Sequence, residues 1–212
     1  MKRLHRPDSF DPVAKRVLAL HHPGITRVLA AAPLGWLVVE AVPVDRPAAT
    51  PVGAAALPAI LAAAAALHRA GLVHRNIHPG NILLRHDGLR PEPVLCEPMS
   101  GAAAAPYAAP ETLRGGSPTP SADVWALGVL AYRLLTGHAP FAGTASALAD
   151  QVLTDRAPQP SFLVPDMPRP LEAWLLRALE PDPRDRFADA REMEAAHRGA
   201  QHDARPSLAR AA

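Results

Sequence analysis

The sequence predicts an α+β fold, with a small β-containing first part and a larger, mostly helical second part, and three observations carry that reading. Two short β-prone runs, Ile25 to Leu29 and Trp36 to Val42, flank a turn around Pro33-Leu34-Gly35. An Ala/Leu-rich stretch, Ala54 to Ala70, has the length and apolarity of a buried helix and is followed by Gly71, a left-handed cap. Downstream, Val124 to Leu130 and Leu175 to Leu179 are apolar runs separated by Pro- and Gly-containing stretches.

Each element has a local cause. Residues 1–9 are basic and polar and read as a flexible arm. From Phe10 the spacing Phe10, Val13, Val17, Leu18, Leu20 is helical, Asp11 and Pro12 suit a first turn, and Pro23-Gly24 stops the run. Pro43 to Pro51 is a proline-broken connector. Ile82-Leu83-Leu84 and Val94-Leu95-Cys96 read as a hairpin around Asp87-Gly88, and Ser121 is placed to cap the helix that follows it. The stretch 197–212, with Arg198, Arg205 and Arg210, lacks apolar periodicity and reads as a disordered tail.

Composition narrows the function classes. With 49% apolar and 20% charged residues in 212, the chain can bury a core and is not globally disordered. The 25 prolines and the many Ala and Arg point to a GC-rich bacterial genome rather than to any activity. The 22 basic residues are nearly balanced by 20 acidic ones and form no clustered basic face, so no nucleic-acid partner is expected. Cys96 is alone, which excludes an intrachain disulfide, and no apolar stretch follows Met1-Lys2-Arg3-Leu4-His5-Arg6, so a cytoplasmic location is expected. Val52 to Leu67 is broken by Pro58 and too short to span a bilayer, so no membrane role is expected either. His21, His22, His74 and His78 have no zinc-ligand spacing.

The informative stretch is His74-Arg75-Asn76-Ile77-His78-Pro79-Gly80-Asn81-Ile82-Leu83-Leu84. It resembles the catalytic loop of the protein kinase family, His-Arg-Asp-Leu-Lys-Pro-x-Asn, in which the Asp handles the proton of the attacking hydroxyl, the Lys supports the γ-phosphate and the Asn holds magnesium. Asn76 stands at the Asp position and His78 at the Lys position. An amide does not take a proton as a carboxylate does, and a neutral imidazole supplies no fixed positive charge.

The resemblance extends outward from this loop. His22-Pro23-Gly24-Ile25 is similar to the family's junction after the N-lobe helix, which implies a gatekeeper at Val39 and a nucleotide hinge at Glu40-Ala41-Val42. Glu97-Pro98-Met99 takes the place of the metal-binding Asp-Phe-Gly, leaving Asn81 and Glu97 as a weak metal pair, since the extra methylene of Glu displaces its carboxylate in a site where magnesium wants near-octahedral geometry. Ala108-Ala109-Pro110-Glu111 resembles Ala-Pro-Glu, Ser121 to Leu130 resembles the start of the buried C-lobe helix, and Pro181 to Phe187 resembles the turn carrying the family arginine. By that resemblance Asp123 accepts the backbone N–H groups of His74 and Arg75, and Glu111 pairs with Arg186. Arg75 has no phosphorylated partner to expect, because Ser100 to Ala109 holds almost no hydroxyls.

Other parts of the pattern are missing from this sequence. No Gly-rich loop precedes Gly24, the only lysines are Lys2 and Lys15, and Lys15 lies too close to His22-Pro23 for the family helix to fit between. Val13 stands where the family Glu would pair with the lysine. The expected organisation is a flexible arm over 1–9, a truncated N-lobe of one helix and two strands over 10–42, a C-lobe over 43–196 and the tail. The expected function is a pseudokinase that binds and regulates, with no cofactor or at most weak ATP and magnesium. The rival reading is a weak or atypical serine/threonine kinase using Asn81 and Glu97, and a third is a start codon assigned downstream of the true one. The expected partner is another protein or a second copy, meeting the bare edge of the strand 36–42; the arm folding back over that edge is the alternative.

Overall fold

Ten consecutive residues of one helix, Asp123 to Tyr132, are buried, and the rest of the molecule is assembled around them. The computed structural model describes residues 2–3, 10–32, 36–42, 53–86, 91–98 and 104–209. In chain order these form β1 (Lys2–Arg3), α1 (Phe10–Ala19), β2 (Val28–Ala32), β3 (Trp36–Val39), α2 (Leu57–Arg69), β4 (Ile82–Arg85), β5 (Glu92–Leu95), α3 (Pro110–Leu113), α4 (Pro120–Thr136), α5 (Ala145–Thr154), α6 (Arg169–Ala178) and α7 (Ala190–Ala209). This is the α+β arrangement expected: small sheets beside a mostly helical lobe. The turns at 33–35 and 87–90, the connector 43–52 and the segment 99–103 lie outside the described residues.

α4 is buried all round because its sequence is apolar all round, Val124-Trp125-Ala126-Leu127-Gly128-Val129-Leu130. Gly128 permits close approach of α6: a Cβ there would stand 3.0 Å from both the Ala178 Cβ and the Leu179 Cδ2. Thr119, not Ser121, caps this helix, its Oγ1 accepting the Ala122 N–H at 3.3 Å with Pro120 at the first helical position. Ser121 instead donates its hydroxyl to the Pro183 carbonyl at 3.3 Å. α2 contributes Leu57, Ile60, Leu61 and Leu67 to the core, and its buried alanines 63–66 keep its inner surface thin. A single 3₁₀ turn, Ala54–Ala56, leads into it, and Gly71 ends it at φ 68°, as expected of a left-handed cap.

The larger sheet has the order β1-β3-β2, all antiparallel. Against the β-prone runs, β2 is displaced three residues along the chain, to Val28–Ala32, and the central β3 is shorter, Trp36–Val39, with a register shift between Val28 and Ala30. Residues 24–26 turn away to clasp the hairpin instead: Leu95 donates its N–H to Gly24 C=O at 2.8 Å, and Thr26 donates to Leu95 C=O at 3.0 Å. The N-terminal strands are thereby joined to the hairpin that follows the loop at 74–81.

Two expectations are corrected. The arm over 1–9 is not uniformly loose, because Lys2 and Arg3 pair with Leu37 and Trp36 and occupy that part of the outer edge of β3. An open row of N–H and C=O groups is a template for any nearby chain, so two charged residues suffice to occupy it. The tail over 197–212 is helical through Ala209, since Met193, His197 and Ala200 form a buried stripe at helical spacing on α7. The His197 ring lies 4.7 Å from that of Trp174, and burial lowers its pKa. Among the described residues no helix is long and apolar enough to cross a membrane.

Candidate functional site

The loop at 74–81 is hung from Asp123 at the start of α4. This carboxylate is 1% exposed and accepts the backbone N–H of His74 at 2.6 Å and of Arg75 at 2.8 Å, as the sequence implied. Taking two successive N–H groups on one carboxylate goes with a sharp reversal, and Arg75 adopts φ 74°, a left-handed value that a non-glycine residue holds only under strain from its surroundings. A third donor was not anticipated: His68, in the last turn of α2, places Nε2 3.0 Å from Asp123 Oδ2. Its signal was legible as spacing, since Leu57, Leu61, Ala64 and His68 fall on one helical stripe, which makes His68 a buried polar group in need of partners.

His74 is fully buried with both ring nitrogens engaged. Nδ1 accepts the Asn76 N–H at 3.3 Å, which leaves Nε2–H to donate to the Cys96 carbonyl at 3.1 Å. Burial pushes its pKa down to about 4, with Asp123 opposing, so the ring is neutral near pH 7. It ties the loop to the strand end that carries Cys96 and Glu97. Cys96 is buried and takes the Thr26 hydroxyl on its sulfur at 2.8 Å; burial raises the thiol pKa, so it remains protonated.

The residues at the chemical positions are built into the loop itself. The Asn76 Oδ1 accepts the Ala104 N–H at 3.2 Å, and its backbone carbonyl accepts the Asn81 side-chain amide at 2.9 Å. His78 caps the 3₁₀ turn Pro79–Asn81, its Nδ1 accepting the Gly80 N–H at 3.1 Å, and its ring lies 6.2 Å from that of Tyr107. A lysine has no acceptor and could not make this cap, so His78 serves the turn's geometry in a way a phosphate-supporting residue would not. Glu97 sits at φ 59°, the second strained non-glycine residue of the described chain, adjoining the first through the His74–Cys96 link. Among the described residues no group of three His, Cys, Asp or Glu is arranged to hold a metal ion.

The hinge positions lie apart on β3 and just beyond it. Val39 is 40% exposed, and Glu40 gives its N–H to the Arg27 carbonyl at 2.8 Å. Lys15 lies exposed on α1. The structural pair expected below the segment 104–111 is present: Arg186 Nη1 and Nη2 donate to Glu111 Oε1 and Oε2, both at 2.8 Å. Arg186 also donates to the carbonyls of Glu180 at 2.6 Å, Ser121 at 3.1 Å and Pro181 at 2.9 Å, and its guanidinium lies 5.0 Å from the Trp125 ring centre.

Comparison with known proteins agrees with this geometry. The protein kinase domain family matches residues 48–198. Serine/threonine-protein kinase PknL of Mycobacterium tuberculosis is 38% identical over 148 residues, 64% of this chain and 37% of that protein. PrkC of Bacillus subtilis is 33% identical over 148 residues, again 64% of this chain but 23% of its own length, and Pkn1 of Myxococcus xanthus is 33% identical over 208 residues, 84% of this chain and 30% of its own. The chain thus spans well under half the length of these relatives. The crystal structure of a mutant of the Mycobacterium tuberculosis PknI kinase domain superposes with a TM-score of 0.68 at 26% identity, covering 91% of this chain and 77% of that one. The family match and the bacterial serine/threonine kinase relatives lead to one conclusion: the chain belongs to the protein kinase domain family.

Proposed function

We propose that this chain is a pseudokinase, a kinase-fold module that acts by binding another protein and transfers no phosphate. The observation that supports it is the state of the loop: a carboxamide stands where the family places its proton-accepting carboxylate, and that carboxamide is bonded to the Ala104 backbone. The loop keeps its shape through Asp123, His74 and Asn81, so its geometry does not depend on the missing chemistry. The residues present do not fit magnesium–nucleotide. Asn81 has its amide nitrogen fixed on the Asn76 carbonyl, and Glu97, on a strained backbone, carries its carboxylate one methylene further out than the family Asp. Purified protein incubated with radiolabelled ATP and magnesium is expected to label neither itself nor a generic protein substrate. Asn76→Asp alone is expected to leave that result unchanged, and magnesium–ATP to leave the melting temperature where it was. Transfer that disappears in Asn81→Ala would establish the weak-kinase reading instead.

The surface we propose for the partner is the outer edge of β3 beyond the reach of Lys2–Arg3. Glu40 faces β2 through its bond to Arg27, so by alternation Val38 also faces β2 and Val39 turns its N–H to the outside. Val38 and Val39 are 39% and 40% exposed, an apolar margin suited to an added strand from a second copy. Val39→Pro removes the outward donor and spares the inner ladder. Light scattering is expected to show wild-type mass rising with concentration and the variant staying monomeric; a wild type monomeric at every concentration would defeat the proposal.

A further inference from the structure

We infer that His68 is a positioning residue that couples the start of α7 to the loop at His74–Arg75. The imidazole lies between two elements far apart in sequence. Its Nδ1 accepts the N–H of Ala190, the first residue of α7, at 2.9 Å, so the proton is on Nε2, which donates to Asp123 Oδ2 at 3.0 Å. Asp123 in turn holds the N–H groups of His74 and Arg75. Every member of the chain Ala190–His68–Asp123–His74 is buried, between 0 and 7% exposed, so no water stands by to replace a broken link.

The consequence is directional. Ala190 N–H, one of the orphan donors of a helix N-terminus, is answered by the ring of His68 rather than by its own cap. The cap itself is Asp189, whose Oδ1 accepts the N–H of Arg191 at 2.8 Å and of Glu192 at 3.1 Å. When the first turn of α7 moves, the His68 ring loses its acceptor-side restraint, and the hydrogen bond it donates to Asp123 loses its fixed geometry. The carboxylate still holds the loop by its two bonds to His74 and Arg75, but it loses the third donor that fixes its own orientation. A partner that grips α7, or displaces it, thereby changes the order of His74 and Arg75 without touching them. This coupling is independent of whether the loop transfers phosphate, so its test and that of the proposed function fail separately.

The experiment is a double-mutant cycle read by amide hydrogen exchange on the full chain, with the amides of Val129 to Ala131 in α4 as the report on global unfolding. Asp189→Ala loosens the α7 start. It is expected to speed exchange at the His74 and Arg75 amides about fivefold or more relative to those α4 amides. His68→Gln can still reach Asp123 but lacks an acceptor at the Nδ1 position, and His68→Asn keeps that acceptor but falls short of Asp123. In either background, adding Asp189→Ala is expected to give no further change at His74 and Arg75. An unchanged rate at those amides in Asp189→Ala, or the same increment with and without His68, would overturn the coupling. Should the His68 variants fail to fold, the wild type decides: ¹⁵N imidazole shifts near pH 7 must show His68 protonated on Nε2 with Nδ1 as acceptor, and any other state overturns the inference.

Discussion

Arg186→Ala is expected to unfold the protein some 10 °C earlier than wild type, a loss of about 3–5 kcal/mol for one truncated side chain. The guanidinium has five N–H groups, and the structure supplies five bonds: two to Glu111 and one each to the carbonyls of Glu180, Ser121 and Pro181. Its side chain is wholly buried, so truncation strands three carbonyls and a carboxylate together. Glu111 is 20% exposed, and water reaching it softens the loss of the ion pair, which places much of the expected effect on the carbonyls. Arg186→Lys is expected to recover little, because an ammonium offers three donors from one atom and cannot match a planar fork. Thermal melts of both variants followed by circular dichroism check this; an Arg186→Ala protein that melts with wild type would show that the pair is dispensable.

Asp123→Ala is expected to cost a comparable amount, on the order of 4 kcal/mol, by leaving two buried donors and one part-buried donor unanswered. These are the backbone N–H groups of His74 and Arg75 and the Nε2–H of His68. The loss should also be local. Without the carboxylate nothing holds Arg75 at φ 74°, so the loop relaxes while α4 persists on its apolar surface. Urea titration measures the stability change, and hydrogen exchange should show protection falling first at residues 74–76. Uniform loss of protection across α4 and the loop together would mean that Asp123 supports the helix rather than the loop.

The parts of this site that were legible from sequence are those with a fixed role in the fold. Asp123, Glu111 and Arg186 occupy motif positions whose partners are set by chain geometry, and all three make the bonds implied for them. His68 was missed because an alanine-rich helix reads as packing surface, and its partners lie 55 and 122 residues away. Two neighbouring hydroxyls, Thr119 and Ser121, compete as caps in the sequence, and Pro120 at the first helical position is the residue that decides for Thr119. The helix beyond residue 196 was hidden by its arginines, whose charges mask the Met193, His197 and Ala200 stripe. No sequence pattern announces β1, because a two-residue strand of Lys and Arg is defined by the edge it meets.

The way the loop is suspended bears on how a lineage of such proteins changes over time. His74 and Arg75 are fastened through their backbone to α4, and the turn at 79–81 is closed by a histidine ring acting as a hydrogen-bond acceptor. Substitutions that keep a side-chain acceptor at 76 and 78 therefore carry little folding penalty, and where transfer is not selected such changes meet little opposition from the scaffold. Positions 111, 123 and 186 have no such freedom. A family branch that abandons catalysis should consequently diversify first at its reactive positions, while the residues beneath them stay constant long after their original purpose has lapsed.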